Sequence, residues 1–262
     1  MLNFCDYFAV FPRRISVVER EPRACRAVVQ RRRAFTLMEM LVVMGIIATL
    51  MVLLAPAFTT IKSAGDVTGA AYTIEGLLDT ARTYAMANNT YTWVGFFEEN
   101  VESTTPGTAG VGRLVMSIVA SQDGTMIYDP SSPAQIPSTR LLQVGKLTKI
   151  DNVHLWTHTD NPSNSGSTFD TRPNVAPTYC IGNSISTTPF QYPVGSPYTF
   201  VKAVQFSPGG EARINNSTNS LQTAAEIALE PTHGNAIPGS LPANVVAIQI
   251  TGVGGNVIIY RR

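Results

Sequence analysis

Charge is scarce in this chain of 262 residues: 14% are Asp, Glu, Lys or Arg, and the formal net charge is +1. What basic charge there is lies at the front. Residues 1–34 hold eight arginines against three acids, leaving eleven bases against fifteen acids in the rest. A body-wide basic surface for nucleic acid is thereby excluded. Cysteine is nearly absent as well, with only Cys5, Cys25 and Cys180. If the basic front is removed, one thiol remains, and one thiol makes no internal disulfide. Cys180 then reads as a small buried or idle residue, with intermolecular pairing as its other use.

Motifs for chemistry are missing too. The three histidines are His154, His158 and His233. His154 and His158 have the i, i+4 spacing that converges on a metal only on a helix, whereas Val153, Leu155 and Trp156 point to a strand running into a loop. His233, between Pro231 and Gly234, reads as a turn residue. Asp151, Asp160 and Asp170 do not match a calcium loop. Gly252–Gly255 lacks the strand-to-helix setting of a phosphate cradle, and no serine sits in a G-x-S-x-G elbow. No metal, no cofactor and no enzymatic activity are expected.

What the chain does have is one long apolar run. Arg31–Phe58 reads RRRAFTLMEMLVVMGIIATLMVLLAPAF, and Met40–Phe58 carries no charge over about 19 residues, enough to cross ~30 Å of hydrocarbon at 1.5 Å per residue. Arg31, Arg32 and Arg33 should hold the N-terminal side in the cytoplasm and leave the body outside. A single carboxylate, Glu39, stands at the head of the run. At bilayer depth it costs on the order of 2.5–3.5 kcal/mol, so it needs a partner or a route to the interface by snorkelling.

Two processing schemes fit these residues. In one, Met40–Leu54 is the apolar region of a secretory signal, and Ala55-Pro56-Ala57 is a small-x-small site cut before Phe58. Glu39 and the proline inside the triplet count against it. In the other, AFTLMEMLVV resembles the type IV prepilin family, with its basic leader, small residue and Phe-Thr-Leu-x-Glu opening an apolar helix. That resemblance implies cleavage between Ala34 and Phe35 and methylation of the Phe35 amine. Glu39 becomes mature position five and Pro56 position 22, the places of the family's glutamate and helix-kinking proline. Ala34 departs from the glycine that the family's peptidase prefers. The resemblance also supplies a partner for Glu39: the ammonium of Phe35 on a neighbouring copy, so that Glu39 sets register as subunits assemble. A hydrogen-bonded pair of this kind offsets much of the cost of burying either charge.

Beyond Pro56 the pattern becomes amphipathic. Ala70, Ala71, Ile74, Leu77, Leu78, Ala81, Tyr84 and Ala85 recur at spacings of three and four, with Asp66, Glu75, Asp79 and Arg82 assigned to the other face. One helix is expected from about Phe35 to Asn88, roughly 80 Å long, bent at Pro56 and stopped at Asn88-Asn89. Strand-like runs follow at 90–97, 113–120, LLQVGKL, NVHLW, 200–207, 211–214, 225–230, 244–250 and 256–262. Ser207–Gly210 and Gly252–Gly255 serve as hairpin turns. The stretch 157–198, dense in Ser, Thr, Asn, Pro and Gly, reads as a functional insertion or a surface excursion.

The expected fold is α+β: a long N-terminal helix packed on an antiparallel sheet. Its parts are a removable leader at 1–34, a membrane or filament-core segment at 35–58, an amphipathic continuation at 59–89 and a β-rich body at 90–262. ARTYAMANNTYTWVGF, VQFSPGGEARI and VAIQITGVGGNVIIYRR are similar in order to the H-type minor pseudopilin family of type II secretion systems. A further likeness is to the D protein of the Verru_Chthon cassette. These resemblances imply a subunit anchored by one pass in the inner membrane, with a periplasmic body. They imply as partners a prepilin peptidase, other pilin-like subunits, and an inner-membrane assembly platform with its ATPase. The other reading is an exported or singly anchored binding module that does not polymerise. Arg261-Arg262, with Arg213, is its one candidate contact for DNA, and Tyr260 a thin stacking platform.

Overall fold

A computed structural model describes residues 35–127, 136–156, 171–182, 190–192, 195–214, 221–238 and 242–262; the side chains of 53–64 and of Pro177 lie outside the description. The chain divides into two compact units, Met1–Leu50 and Met51–Arg262. In the first, the described residues are Phe35, Thr36 and the opening of helix α1 (Leu37–Ala87). The backbone of α1 is helical through Pro56.

In the second unit α1 buries Val67, Ala70, Ala71, Ile74, Leu78, Ala81 and Ala85, the three-and-four spacing of a core stripe. Leu77 and Tyr84 pack at its margins. The small residues let the helix lie close to the sheet. The helix stops at an asparagine in the left-handed region, Asn89 at φ 49°. The Thr90 N–H then reaches back to the Ala85 carbonyl at 3.0 Å, a Schellman closure. Because Thr90 is spent on this cap, strand β1 begins later than its sequence run, at Thr92.

The strands are β1 (Thr92–Asn100), β2 (Gly112–Ser121), β3 (Leu141–Gln143), β4 (Thr148–Trp156), β5 (Phe190–Gln191), β6 (Thr199–Phe200), β7 (Lys202–Phe206), β8 (Ala212–Ile214), β9 (Ala224–Pro231), β10 (Val246–Thr251) and β11 (Val257–Arg261). Nine form one sheet in the order β11-β10-β9-β4-β2-β1-β7-β8, with β3 beside β2; β5 and β6 pair separately. Every ladder is antiparallel. The fold is therefore α+β with a large antiparallel sheet. Ser207–Glu211 and Thr251–Asn256 close the β7–β8 and β10–β11 hairpins, with Gly210 and Gly255 at positive φ. The Ala212 N–H donates to the Gly252 carbonyl, so β8 reaches the β10–β11 turn.

Strand alternation separates two cores. Val94 and Phe96 of β1, with Leu114, Met116 and Ile118 of β2, join the helix-side core. Trp93, Val115 and Val119 enter a second core with Ile136, Leu141, Phe190, Tyr198 and Phe200 on the opposite face. Gly95 permits this second layer. A Cβ there would lie 2.6 Å from Phe190 Cζ and 2.7 Å from Phe200 Cβ.

Three expectations are corrected here. LLQVGKL is not one strand: β3 ends at Gln143 and Gly145, at φ 85°, turns the chain before β4. The described parts of 157–198 are no surface excursion, since Cys180, Ile181, Phe190 and Tyr198 are buried and Cys180 bridges to Glu226 of β9. Their large apolar side chains need cover, and the second face of the sheet provides it. Finally, Asp66 and Arg82 are not on the solvent face of α1. Asp66 reaches Asn152 of β4, and the Arg82 stem packs beside Gly210 and Gly255. Long side chains at the margin of the stripe lie along the sheet.

Candidate functional site

Phe35 and Thr36 precede the first helical residue, and Phe35 is 74% exposed. Thr36 caps the helix start: its hydroxyl accepts the Glu39 N–H at 3.2 Å and its carbonyl accepts the Met40 N–H at 3.2 Å. Glu39 lies in the first turn, where the helix dipole favours an acid. Among the described residues of its own chain, its carboxylate has no ion-pair partner.

The side chains from Phe35 to Val52 are all exposed, Leu37 at 84% and Val52 at 78%. An uninterrupted apolar face of this kind asks for lipid or protein around it. The Thr49 hydroxyl donates to the Ile46 carbonyl at 2.8 Å, so the helix satisfies its one polar side chain in the uncharged part of this segment internally. Among the described residues no helix is long and apolar enough to cross a membrane. Described side chains in the uncharged run end at Val52; the side chains of 53–58, which complete its span in sequence, lie outside the description. Ala34 and Arg31–Arg33 fall outside it too, as does the side chain of Pro56.

The C-terminal arginines do not form an open basic patch. Arg261 lies over the Tyr72 ring of α1, 4.9 Å from its centroid, and Arg213 pairs with Glu211 at 3.1 Å. Arg262 is exposed, with its N–H bonded to the Val245 carbonyl. His154 is in β4, His158 lies outside the description, and His233 is in a short bridge with Ala236. Among the described residues no cluster of three His, Cys, Asp or Glu is placed to hold a metal.

Sequence reading missed three buried polar groups that organise the body. Glu99, 2% exposed, receives the Tyr198 hydroxyl at 2.8 Å and the Gly107 N–H at 2.8 Å, with Arg113 at 3.2 Å and Lys149 at 3.3 Å. Burial alone would push its carboxyl up; the Gly107 N–H, the Tyr198 hydroxyl and the two cations outweigh it and hold it at about 2. Arg172 pairs with Glu226 at 3.1 Å, and Gln249 donates to the same carboxylate at 2.7 Å. This ties the segment after residue 170 to β9 and β10. Beside it, burial and then the Glu226 carboxylate push the Cys180 thiol up to about 12. In the third group His154 Nδ1 lies 2.5 Å from Glu98, and Nε2 lies 4.0 Å from Glu230. Lys202 is 3.5 Å from Glu98. Two consecutive acids, Glu98 and Glu99, closing the apolar run of β1 were the available signal, but their partners are 8 to 104 residues away.

Residues 29–55 match the family described as the prokaryotic N-terminal methylation motif. The match takes in the basic residues, the Ala34–Phe35 junction, Glu39 and the exposed apolar opening of α1. Confined to this segment, the match supports a type IV prepilin-like protein. No curated protein and no solved structure matches the chain.

Proposed function

We propose that this type IV prepilin-like chain is a minor pilin-like subunit of a type II secretion pseudopilus or a type IV pilus-like filament. A prepilin peptidase cuts between Ala34 and Phe35 and the new amine is methylated. The leader at 1–34 is lost, 35–58 becomes the membrane-stored and then filament-core segment, and 59–89 carries it into the body at 90–262. Before assembly the chain crosses the inner membrane once, with its N-terminus in the cytoplasm and its body in the periplasm. An inner-membrane platform with its ATPase drives insertion among other pilin-like subunits. The role is structural and not enzymatic.

The observation that carries this reading is the matched segment at 29–55 continuing into an exposed apolar helix headed by one carboxylate. Burying that helix among copies removes apolar surface from water at about 25 cal/mol per Å². Glu39 would be left as a costly lone charge unless an ammonium met it, and Phe35 of a neighbour supplies one after cleavage, with an ordinary amine pKa of about 7.7–8. Contact with partners passes through loops and strand edges, because α1 covers one face of the sheet and the second core covers the other over β1, β2, β3 and β7.

Incorporation of Glu39→Ala into filaments tests the role of this charge. The variant should be cleaved and remain in the membrane yet be depleted from sheared or crosslinked filaments. Incorporation at the wild-type level would remove Glu39 as the register of assembly.

A further inference from the structure

Thr36 is the only hydroxyl between the start of α1 and the junction at which processing is proposed, and it is engaged. Its Oγ1 accepts the Glu39 N–H at 3.2 Å, its carbonyl accepts the Met40 N–H at 3.2 Å, and Leu37 is the first helical residue. Thr36-Leu37-Met38-Glu39 thus has the sequence of a capping box, with threonine at the N-cap and glutamate three residues on.

The residues before it give a helix no reason to stop. Between Pro22 and Gly45 there is no proline or glycine, and Ala24, Arg26, Ala27, Gln30, Arg31–Arg33 and Ala34 include the strongest helix formers. Without the cap, α1 would gain by growing backward through Phe35 and Ala34. Their peptide N–H and carbonyl would then be locked in intrahelical hydrogen bonds, and a protease reaches a bond in proportion to the population in which it is open.

We infer that Thr36 is a positioning residue for processing: its N-cap fixes the helix start at Leu37 and leaves Phe35, the residue after the proposed cut, outside the helix. Hydrolysis there adds water across the bond, the hydroxyl going to the Ala34 carbonyl carbon and the proton to the Phe35 nitrogen. The same cap leaves the new ammonium outside the helix, one residue before the N-cap, where it is free to meet a carboxylate on another copy. This inference rests on the proposed cleavage at Ala34–Phe35.

The test is a time course of cleavage of the full chain in membranes containing a prepilin peptidase, read by mass spectrometry as the fraction beginning at Phe35. Thr36→Val keeps the shape and removes the acceptor. It should be cut about fivefold more slowly, the factor a threonine cap contributes to the helix-start equilibrium. Thr36→Ser and Thr36→Asn both restore an acceptor and should run at close to the wild-type rate. Thr36→Val at the wild-type rate overturns the inference. So does Thr36→Asn as slow as Thr36→Val, because the enzyme would then be reading threonine itself. Failure of the wild-type chain to be cut at Phe35 overturns the processing reading along with it.

Discussion

The Asn152 side-chain amide donates a 2.9 Å hydrogen bond to the Asp66 carboxylate, joining β4 to the helix across 86 residues of sequence. Asn152 holds this position because it is the extra residue of a β-bulge: Gly112 faces Val153 and Arg113 faces Asp151, leaving Asn152 between them at φ 63°. Asparagine is among the few side chains that tolerate this left-handed backbone. Asn152→Ala should lose both the bond and the tolerance and cost about 1–3 kcal/mol, while Asn152→Gly, which keeps the backbone, should cost less. Urea unfolding of the two variants checks the order; equal costs would mean the backbone conformation contributes nothing.

Gly95 makes the second core possible. Gly95→Ala should be destabilised by about 1–3 kcal/mol, because the added methyl meets the Cβ and ring root of Phe200 as well as the tip of Phe190. Thermal unfolding at the wild-type midpoint would show that this face of β1 is not packed as described.

Glu99 and Glu230 give opposite pH dependences. The Glu99 carboxyl falls from an ordinary 4.5 to about 2 in the folded chain, so its contribution is complete above about 4.5 and is lost as pH drops toward 2. Tyr198→Phe removes one of its hydrogen bonds, should cost about 1–2 kcal/mol at neutral pH, and should lose part of that cost in acid. Glu230 is raised, first by burial and also by Glu98, against the lowering effect of His154. Its contribution is present below the ordinary 4.5 and lost as pH climbs through the raised folded value. Glu230→Gln should therefore be more stable than wild type at neutral pH and equal to it in acid. Urea midpoints between pH 3 and 8 decide both; a Glu230→Gln variant weaker at neutral pH contradicts the burial argument.

Cys180 should be chemically silent. In a chain with Cys5→Ser and Cys25→Ser, the Cys180 thiol, buried and held up to about 12, should not react with a thiol reagent at pH 8 and should react fully on unfolding. Rapid labelling of the folded protein would contradict the packing of 171–182 onto β9.

Much of the fold was legible because its signals are local. The Ala70–Ala85 stripe repeats within a few turns, Asn88-Asn89 ends it, and Ser207–Gly210 and Gly252–Gly255 each close a hairpin between neighbouring runs. Strand order was not legible, since nothing near β4 says that it lies between β2 and β9. The second core was missed for a different reason: Phe190, Tyr198 and Phe200 are scattered among Ser, Thr, Pro and Gly, and only the empty space above Gly95 gathers them. At the N-terminus the basic residues, Phe35 and Glu39 stood out in sequence, while the Thr36 cap emerged only from the position of the helix start.

The central claim is that Phe35 becomes the N-terminus of the mature chain and supplies the charge that Glu39 meets. Intact-mass and N-terminal peptide measurement on protein recovered from a host with an active prepilin peptidase tests it most directly. The account predicts a chain beginning at N-methylated Phe35. A chain beginning at Phe58, or one retaining Arg31–Arg33, would contradict it.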